Sequence, residues 1–159
     1  MNLTLIAAIG KNNELGKDNE LLWHFKDDMK FFRENTIGKP VVMGRKTLES
    51  LPKVLPKRLN VVLTHQYISV PCVVNIHSKK ELYDLAKNYP EVMIIGGASL
   101  YKEFLKDAKR MLLTEIDDSK EADVYFPKFD KSEWDSRILG EQEEEGISFK
   151  HKEYIRKRN

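Results

Sequence analysis

Val92-Met93-Ile94-Ile95-Gly96-Gly97-Ala98-Ser99 is the stretch that decides the architecture. Its apolar run has no polar alternation, the pattern of a strand covered on both faces. The paired glycines allow a sharp turn, and Leu100, Phe104, Leu105 and Ala108 then follow at helical spacing. Strand, turn and helix in that order make an α/β unit. The same pattern spreads outward. Apolar runs at Leu3 to Ile9, Val41 to Met43, Leu59 to Thr64, Cys72 to Ile76 and Met111 to Ile116 read as further strands. Met29, Phe32 and Arg33 begin one helix, and Leu82, Leu85 and Ala86 mark another, opened by the capping box Ser78-Lys79-Lys80-Glu81 and stopped before Pro90. Near the end, Trp134 to Leu139 and Ile147 to Ile155 flank a polar turn closing at Gly146, which predicts an antiparallel hairpin. The expectation is an α/β fold whose sheet is mostly parallel, mixed at the hairpin.

Composition bounds the function. The 159 residues suit one domain over 1–159, and 27 Lys+Arg against 25 Asp+Glu leave a net charge of +2. That balance disfavours nucleic acid as a partner, because duplex binders concentrate basic residues on one face. One cysteine, Cys72, permits no internal disulfide and suggests a reducing compartment, hence the cytoplasm. Inside an apolar run, Cys72 reads as an inert core thiol. The start of the chain lacks a basic stretch ahead of its apolar run, and no segment reaches the ~18 apolar residues of a membrane span. No secretion signal or membrane anchor is expected. Glu143-Glu144-Glu145 and Arg156-Lys157-Arg158 read most simply as a solvated hairpin tip and tail. A small-molecule ligand is the expectation.

Ligands of open α/β sheets sit at the carboxyl ends of strands. Val41-Val42-Met43 runs into Gly44-Arg45-Lys46-Thr47, where free N–H groups at a helix start and two cations could hold an anion. Val61-Val62-Leu63 runs into Thr64-His65, and Val92 to Ile95 into Gly96-Gly97-Ala98-Ser99. Each alone is equally a tight turn or a solvated helix start. Together they suggest a ligand with several phosphates, although neither G-x-x-x-x-G-K-[ST] nor G-x-G-x-x-G is present. In Trp23-His24-Phe25-Lys26-Asp27-Asp28-Met29-Lys30-Phe31-Phe32, a helix starting near Asp27 would have that residue as N-cap. Asp28 and Phe32 would share a face. Both aspartates could simply complement the helix dipole; alternatively Asp28 pairs with a donor ring in an apolar pocket. Metalloprotease, dithiol and serine-hydrolase motifs are absent, and His24, His65, His77 and His151 are scattered.

The ordered set Ile6-Ala7-Ala8, Leu15-Gly16, Trp23 with Asp28 and Phe32, Lys39 to Thr47, Glu49-Ser50, Leu55-Pro56 with Arg58-Leu59-Asn60, Ile94 to Gly97 with Tyr101, Leu113-Thr114, and Asp123 with Phe126-Pro127 resembles the bacterial dihydrofolate reductases nearly end to end. The resemblance implies a three-layer sandwich around an eight-stranded mixed sheet. It implies reduction of 7,8-dihydrofolate to tetrahydrofolate with NADPH as cofactor, antifolate inhibitors as ligands, no metal, and a monomer serving one-carbon metabolism. By resemblance, Asp28 and Trp23 are catalytic, with Thr114 behind Asp28. Ile6, Ala7, Met29, Phe32, Leu51, Leu55, Ile95 and Tyr101 line the pterin site, and Arg58 grips the tail carboxylate. Ala8, Leu15 and Gly16 lie by the nicotinamide; Gly96, Gly97, Ala98, Ser99, Leu100 and Tyr101 run along the pyrophosphate and nicotinamide. Gly44, Arg45, Lys46, Thr47, Thr64 and His65 meet the phosphates.

Leu22, Leu48 and Ala122 depart from common residues of that family, where proline, an aromatic and glycine are frequent. Leu22 and Ala122 bear on loop closure. Two rival readings exist. Aminouracil reductases would not need Arg58, and a non-enzymatic nucleotide binder would not need Asp28.

Overall fold

The protein is described here over residues 2–158 of a computed structural model. In chain order its elements are β1 (Leu3–Ile9), β2 (Glu14–Lys17), β3 (Glu20–Leu21), α1 (Lys26–Thr36), β4 (Pro40–Met43), α2 (Arg45–Ser50), β5 (Leu59–Leu63) and β6 (Val73–Ile76). They continue with α3 (Lys79–Ala86), β7 (Val92–Gly96), α4 (Ala98–Phe104), β8 (Arg110–Ile116), β9 (Val124–Tyr125), β10 (Trp134–Glu144) and β11 (Ile147–Arg156). The main sheet has eight strands in the order β10-β11-β8-β1-β7-β4-β5-β6. All neighbours from β8 to β6 pair parallel, and β11 joins β8 and β10 antiparallel. The expected parallel sheet with a terminal hairpin is what forms. A smaller sheet, β3-β2-β9, had no counterpart in the reading of the sequence.

Alternation along the inner strands makes the layers. Leu3, Leu5, Val42, Val61, Ile94 and Leu113 pack against α3 and α4, where Leu82, Ala86 and Phe104 are buried. Ile6, Val41, Met43, Val62, Met93 and Leu112 pack on the other face with Phe31 and Phe32 of α1 and Leu48 of α2. Fully burying one such side chain stabilises by ~1.5–3 kcal/mol, whereas an exposed pair such as Lys30–Glu34, 3.8 Å apart, belongs to a class worth ~0–1 kcal/mol. Apolar burial therefore fixes which face each helix covers.

Local signals held at α3, where the Ser78 hydroxyl accepts from the Glu81 N–H at 3.2 Å. The Glu81 carboxylate reaches the N–H of His77 rather than that of Ser78. Cys72 corrects the core assignment: β6 begins only at Val73, and Cys72 stands exposed at φ 65, in the turn after Pro71. Among the described residues, no helix is long and apolar enough to cross a membrane.

Candidate functional site

Asp28 is set by the start of α1. Phe25 occupies the N-cap position in extended conformation and offers no side-chain oxygen. Its ring is buried, stacked on Phe149 of β11 with centroids 4.7 Å apart. The cap comes from the hairpin instead: the Glu144 carboxylate accepts from the N–H groups of Lys26 and Asp27, both at 2.9 Å. Two expectations are corrected here. Asp27 lies inside the first turn and is not the N-cap, and Glu144 is a helix cap rather than part of a solvated tip.

Relieved of capping, the two aspartates point to β8 and β11. The Thr114 hydroxyl donates to Asp28 Oδ1 at 2.6 Å. Thr114 Oγ1 also lies 2.8 Å from His151 Nδ1, which is 3.8 Å from Asp28 Oδ1, and His151 Nε2 lies 2.6 Å from Asp27 Oδ2. Phe31 stacks on the His151 ring at 4.0 Å between centroids. Burial pushes the Asp28 carboxyl above the usual carboxylate range; the Thr114 hydroxyl and His151 oppose that rise, while Asp27 and Glu144 add to it. Ile6, Phe32, Leu51, Leu55 and Ile95 gather in one apolar cluster on this face. Met29, beside Asp28, is an apolar side chain left 64% exposed. Ala7 packs instead with the α3–α4 cluster, so its backbone is what it can offer on the α1 side. Tyr101, fully enclosed, donates to the Ile6 carbonyl at 2.7 Å, and burial raises its hydroxyl pKa.

The three polar junctions fall side by side, because β7, β4 and β5 are consecutive in the sheet. At ~4.8 Å per strand, their carboxyl ends span about 10 Å. Gly44 and Gly97 are the N-cap residues of α2 and α4, and neither helix start has a side-chain cap. Gly96 lies at φ +139, and a Cβ on Gly96 or Gly97 would meet Thr47 Oγ1 at 3.4 Å. The Gly44 N–H donates to the Gly96 carbonyl at 3.0 Å, which ties two of the junctions together. Arg45 pairs with Glu49 at 2.6 Å; Lys46 and His65 are exposed. Thr64 Oγ1 accepts from the Gln66 N–H. A strip of small residues, free helix starts and cations suits an extended polyanion.

The sequence model of the family described as dihydrofolate reductase matches residues 2–156. The dihydrofolate reductase of Haemophilus influenzae is 41% identical over 135 residues, covering 85% of this chain and 84% of its own. That of Neisseria meningitidis serogroup A is 37% identical over 162 residues, 98% and 99% of the two chains. The solved structure of the Enterococcus faecalis dihydrofolate reductase, complexed with NADP(H) and RAB-propyl, superposes with a TM-score of 0.88 at 31% identity, covering 98% of this chain and 96% of that one. The chain belongs to the dihydrofolate reductase family. Its activity is the NADPH-dependent reduction of dihydrofolate.

The other site residues expected from the sequence fall as follows. Arg58 donates to the Pro56 carbonyl at 2.8 Å and to Thr36 Oγ1 at 3.0 Å; partial burial and the nearby charge of Arg33 lower its pKa. Leu15 and Gly16 are in β2, where a Cβ on Gly16 would come within 2.5 Å of the Glu20 carbonyl oxygen. Ala8 packs with Trp23 and Phe25. Trp23 is buried and donates from its indole N–H to Asp118 at 3.0 Å, so its polar atom is engaged away from Asp28. Leu100 is a core residue, and Ser99 lines, with Lys102, Lys106 and Trp134, an open cavity of about 980 Å³ that holds none of the Asp28-site residues. Ala98 opens α4.

The sequence reading missed Asp27, His151 and Glu144 as partners of the site. It also missed Gly10, where a Cβ would lie 2.5 Å from Trp23 and 2.6 Å from the buried Glu14. Only pairing of β8 with β11 places His151 opposite Thr114, and no spacing within one segment carries that register.

Proposed function

We propose that Asp28 is the ionisable group of the pterin site in this reaction, hydrogen-bonding the ring's amino group and adjacent nitrogen, and that residues 1–159 act as one domain. The observation that carries this is the half-buried carboxyl itself, 23% exposed and pinned to Thr114 beside an apolar wall of Ile6, Phe32, Leu51, Leu55 and Ile95. A carboxylate so placed aligns a cationic or donor-rich ring and polarises it. Arg58, with Arg33 near it, takes the tail carboxylate by planar bidentate pairing, which no aminouracil would require.

The NADPH fit rests on the glycine cradle at Gly96 and Gly97 and the adjoining uncapped helix starts. Gly44, Arg45, Lys46, Thr47, Thr64 and His65 would hold its phosphates, and Gly96, Gly97, Ala98, Leu100 and Tyr101 its pyrophosphate side. Leu15, Gly16 and Ala8 would face the nicotinamide. When bound, NADPH supplies the hydride received by C6 of the dihydropterin. The protein's share is to align the rings, exclude bulk solvent and deliver a proton to N5 through water beside Asp28 and Trp23. We also assign it a monomeric, cytoplasmic state.

The test is loss of NADPH absorbance on adding dihydrofolate, for the protein and for Asp28→Asn. The unsubstituted protein should turn over, and Asp28→Asn should lose orders of magnitude in hydride transfer while binding NADPH within about twofold, since the cofactor residues lie on other loops. An Asn variant at full speed would falsify the role of Asp28.

A further inference from the structure

We infer that Asp28 and His151 hold one proton in common across the Thr114 hydroxyl, which makes His151 a positioning residue that sets when Asp28 is ionised. This rests on the role proposed above for Asp28.

Two lone pairs cannot face each other at 2.6 Å, so a proton lies between His151 Nε2 and Asp27 Oδ2. The Thr114 hydroxyl has one proton and two partners, Asp28 Oδ1 at 2.6 Å and His151 Nδ1 at 2.8 Å. With that proton on Nε2, two arrangements satisfy every contact without moving a heavy atom. In the first, Asp28 is a carboxylate accepting from Thr114, and His151 is an imidazolium donating from Nδ1 to Thr114 and from Nε2 to Asp27. In the second, the Nδ1 proton has become the Thr114 hydroxyl proton, and the former hydroxyl proton sits on Asp28 Oδ1. His151 is then neutral, with Nε2–H still on Asp27. Total charge and proton count are the same in both. When Asp28 gives its proton toward the ring, the pair takes one back from solvent after product leaves.

The surroundings favour such sharing. His151 is nearly enclosed, with its ring stacked on Phe31 and edge-on to Phe149 at 5.6 Å, and both ring nitrogens already have protein partners. Asp27, 30% exposed, borders a cavity of about 170 Å³ shared with Lys30, Glu34 and Gln142, and keeps contact with solvent. The charges facing this group from α1 are Asp27, Asp28, Lys30 and Glu34, with Lys30 and Glu34 already paired. From β10 there is Glu144, engaged by the first N–H groups of α1. On β11 the flanking Lys150 and Lys152 turn to Glu141 and Glu115, at 3.7 and 3.2 Å. Thr114 is the polar contribution of β8.

The experiment uses the whole chain, ligand-free and isotope-labelled, following the His151 ring nitrogens and the Asp28 carboxyl carbon by NMR against pH. The two signals should move with a common midpoint, and in Thr114→Val they should separate. Independent titration in the unsubstituted protein would overturn the inference. His151→Phe keeps a flat ring on Phe31 and removes the shared proton. Its single-turnover pH profile should shift to higher pH by about half a unit or more, because a neighbouring cation no longer favours the carboxylate. A uniform rate loss with an unmoved midpoint would reduce His151 to packing and defeat the inference. Full activity of Asp28→Asn alongside a shared midpoint would overturn only the underlying role of Asp28.

Discussion

The two halves of the site are built on opposite principles. On the side proposed for the pterin, the polar groups around Asp28 are tied to one another: Asp28 has Thr114, Thr114 has His151, His151 has Asp27, and Glu144 caps the helix that carries both aspartates. On the side proposed for the cofactor, glycine replaces side chains, two helix starts lack side-chain caps, and Lys46 and His65 stand in solvent. Groups whose protonation state matters to the chemistry are held by the protein before any ligand arrives. The two helix starts, Lys46 and His65 are left for the ligand to complete, while Arg45 is held by Glu49. The difference separates substitutions that change the chemical step from those that change binding.

Arg58→Leu should give the largest binding loss, because it breaks a hydrogen-bonded charge pair of the kind worth ~2–5 kcal/mol. Titration with dihydrofolate should show that loss, and a tail-less dihydropterin should lose little; equal loss for both would place Arg58 in the ring site and blur the contrast. Arg45→Leu should act on the cofactor side alone, raising KM for NADPH by ~10–100-fold, as for one charge-assisted contact of ~1.5–3 kcal/mol, with far less effect on NADH. Glu49 competes for Arg45, which keeps the effect below that of Arg58. Equal loss for both cofactors would show that Arg45 does not read the 2′-phosphate.

The smallest effect is one of stability and has the opposite sign to the loss of activity. Burial raises the folded-state pKa of Asp28 above its unfolded value. Its favourable contribution is therefore complete below the unfolded pKa and is lost as pH rises through the folded value. Asp28→Asn removes the cost of a buried charge, so at neutral pH Tm should rise by about 2–4 °C for ~1 kcal/mol in a chain of this size. The gain should vanish at pH ~3, where the carboxyl is protonated in both states. A fall in Tm at neutral pH would mean the Thr114 contact outweighs desolvation.

Much of this was readable along the chain. Unalternated apolar runs gave β1, β4, β5, β7 and β8, and the turn at Gly146 gave the hairpin. The three strand-end junctions were visible singly, and their adjacency needed only the strand order. What could not be read depends on register between distant segments. Thr114 and His151 face each other because β8 and β11 pair there, and Glu144 reaches α1 because that hairpin is long enough to overhang it. The aspartates illustrate the limit: as N-terminal helix residues both looked like dipole partners, yet one is committed to a histidine 124 positions away. Cys72 failed for a local reason, since the residue following Pro71 turns before the strand begins.

In the proposed mechanism the half-buried carboxyl of Asp28 governs delivery of the proton that hydride transfer requires. The pH dependence of the single-turnover hydride step with saturating NADPH and dihydrofolate tests it most directly. The expected result is a plateau at low pH and a decline approaching tenfold per pH unit above the controlling pKa, with Asp28→Asn recovering part of its lost rate as the medium becomes more acidic. A hydride step independent of pH, or an Asn variant whose profile superposes on that of the unsubstituted protein, would contradict it.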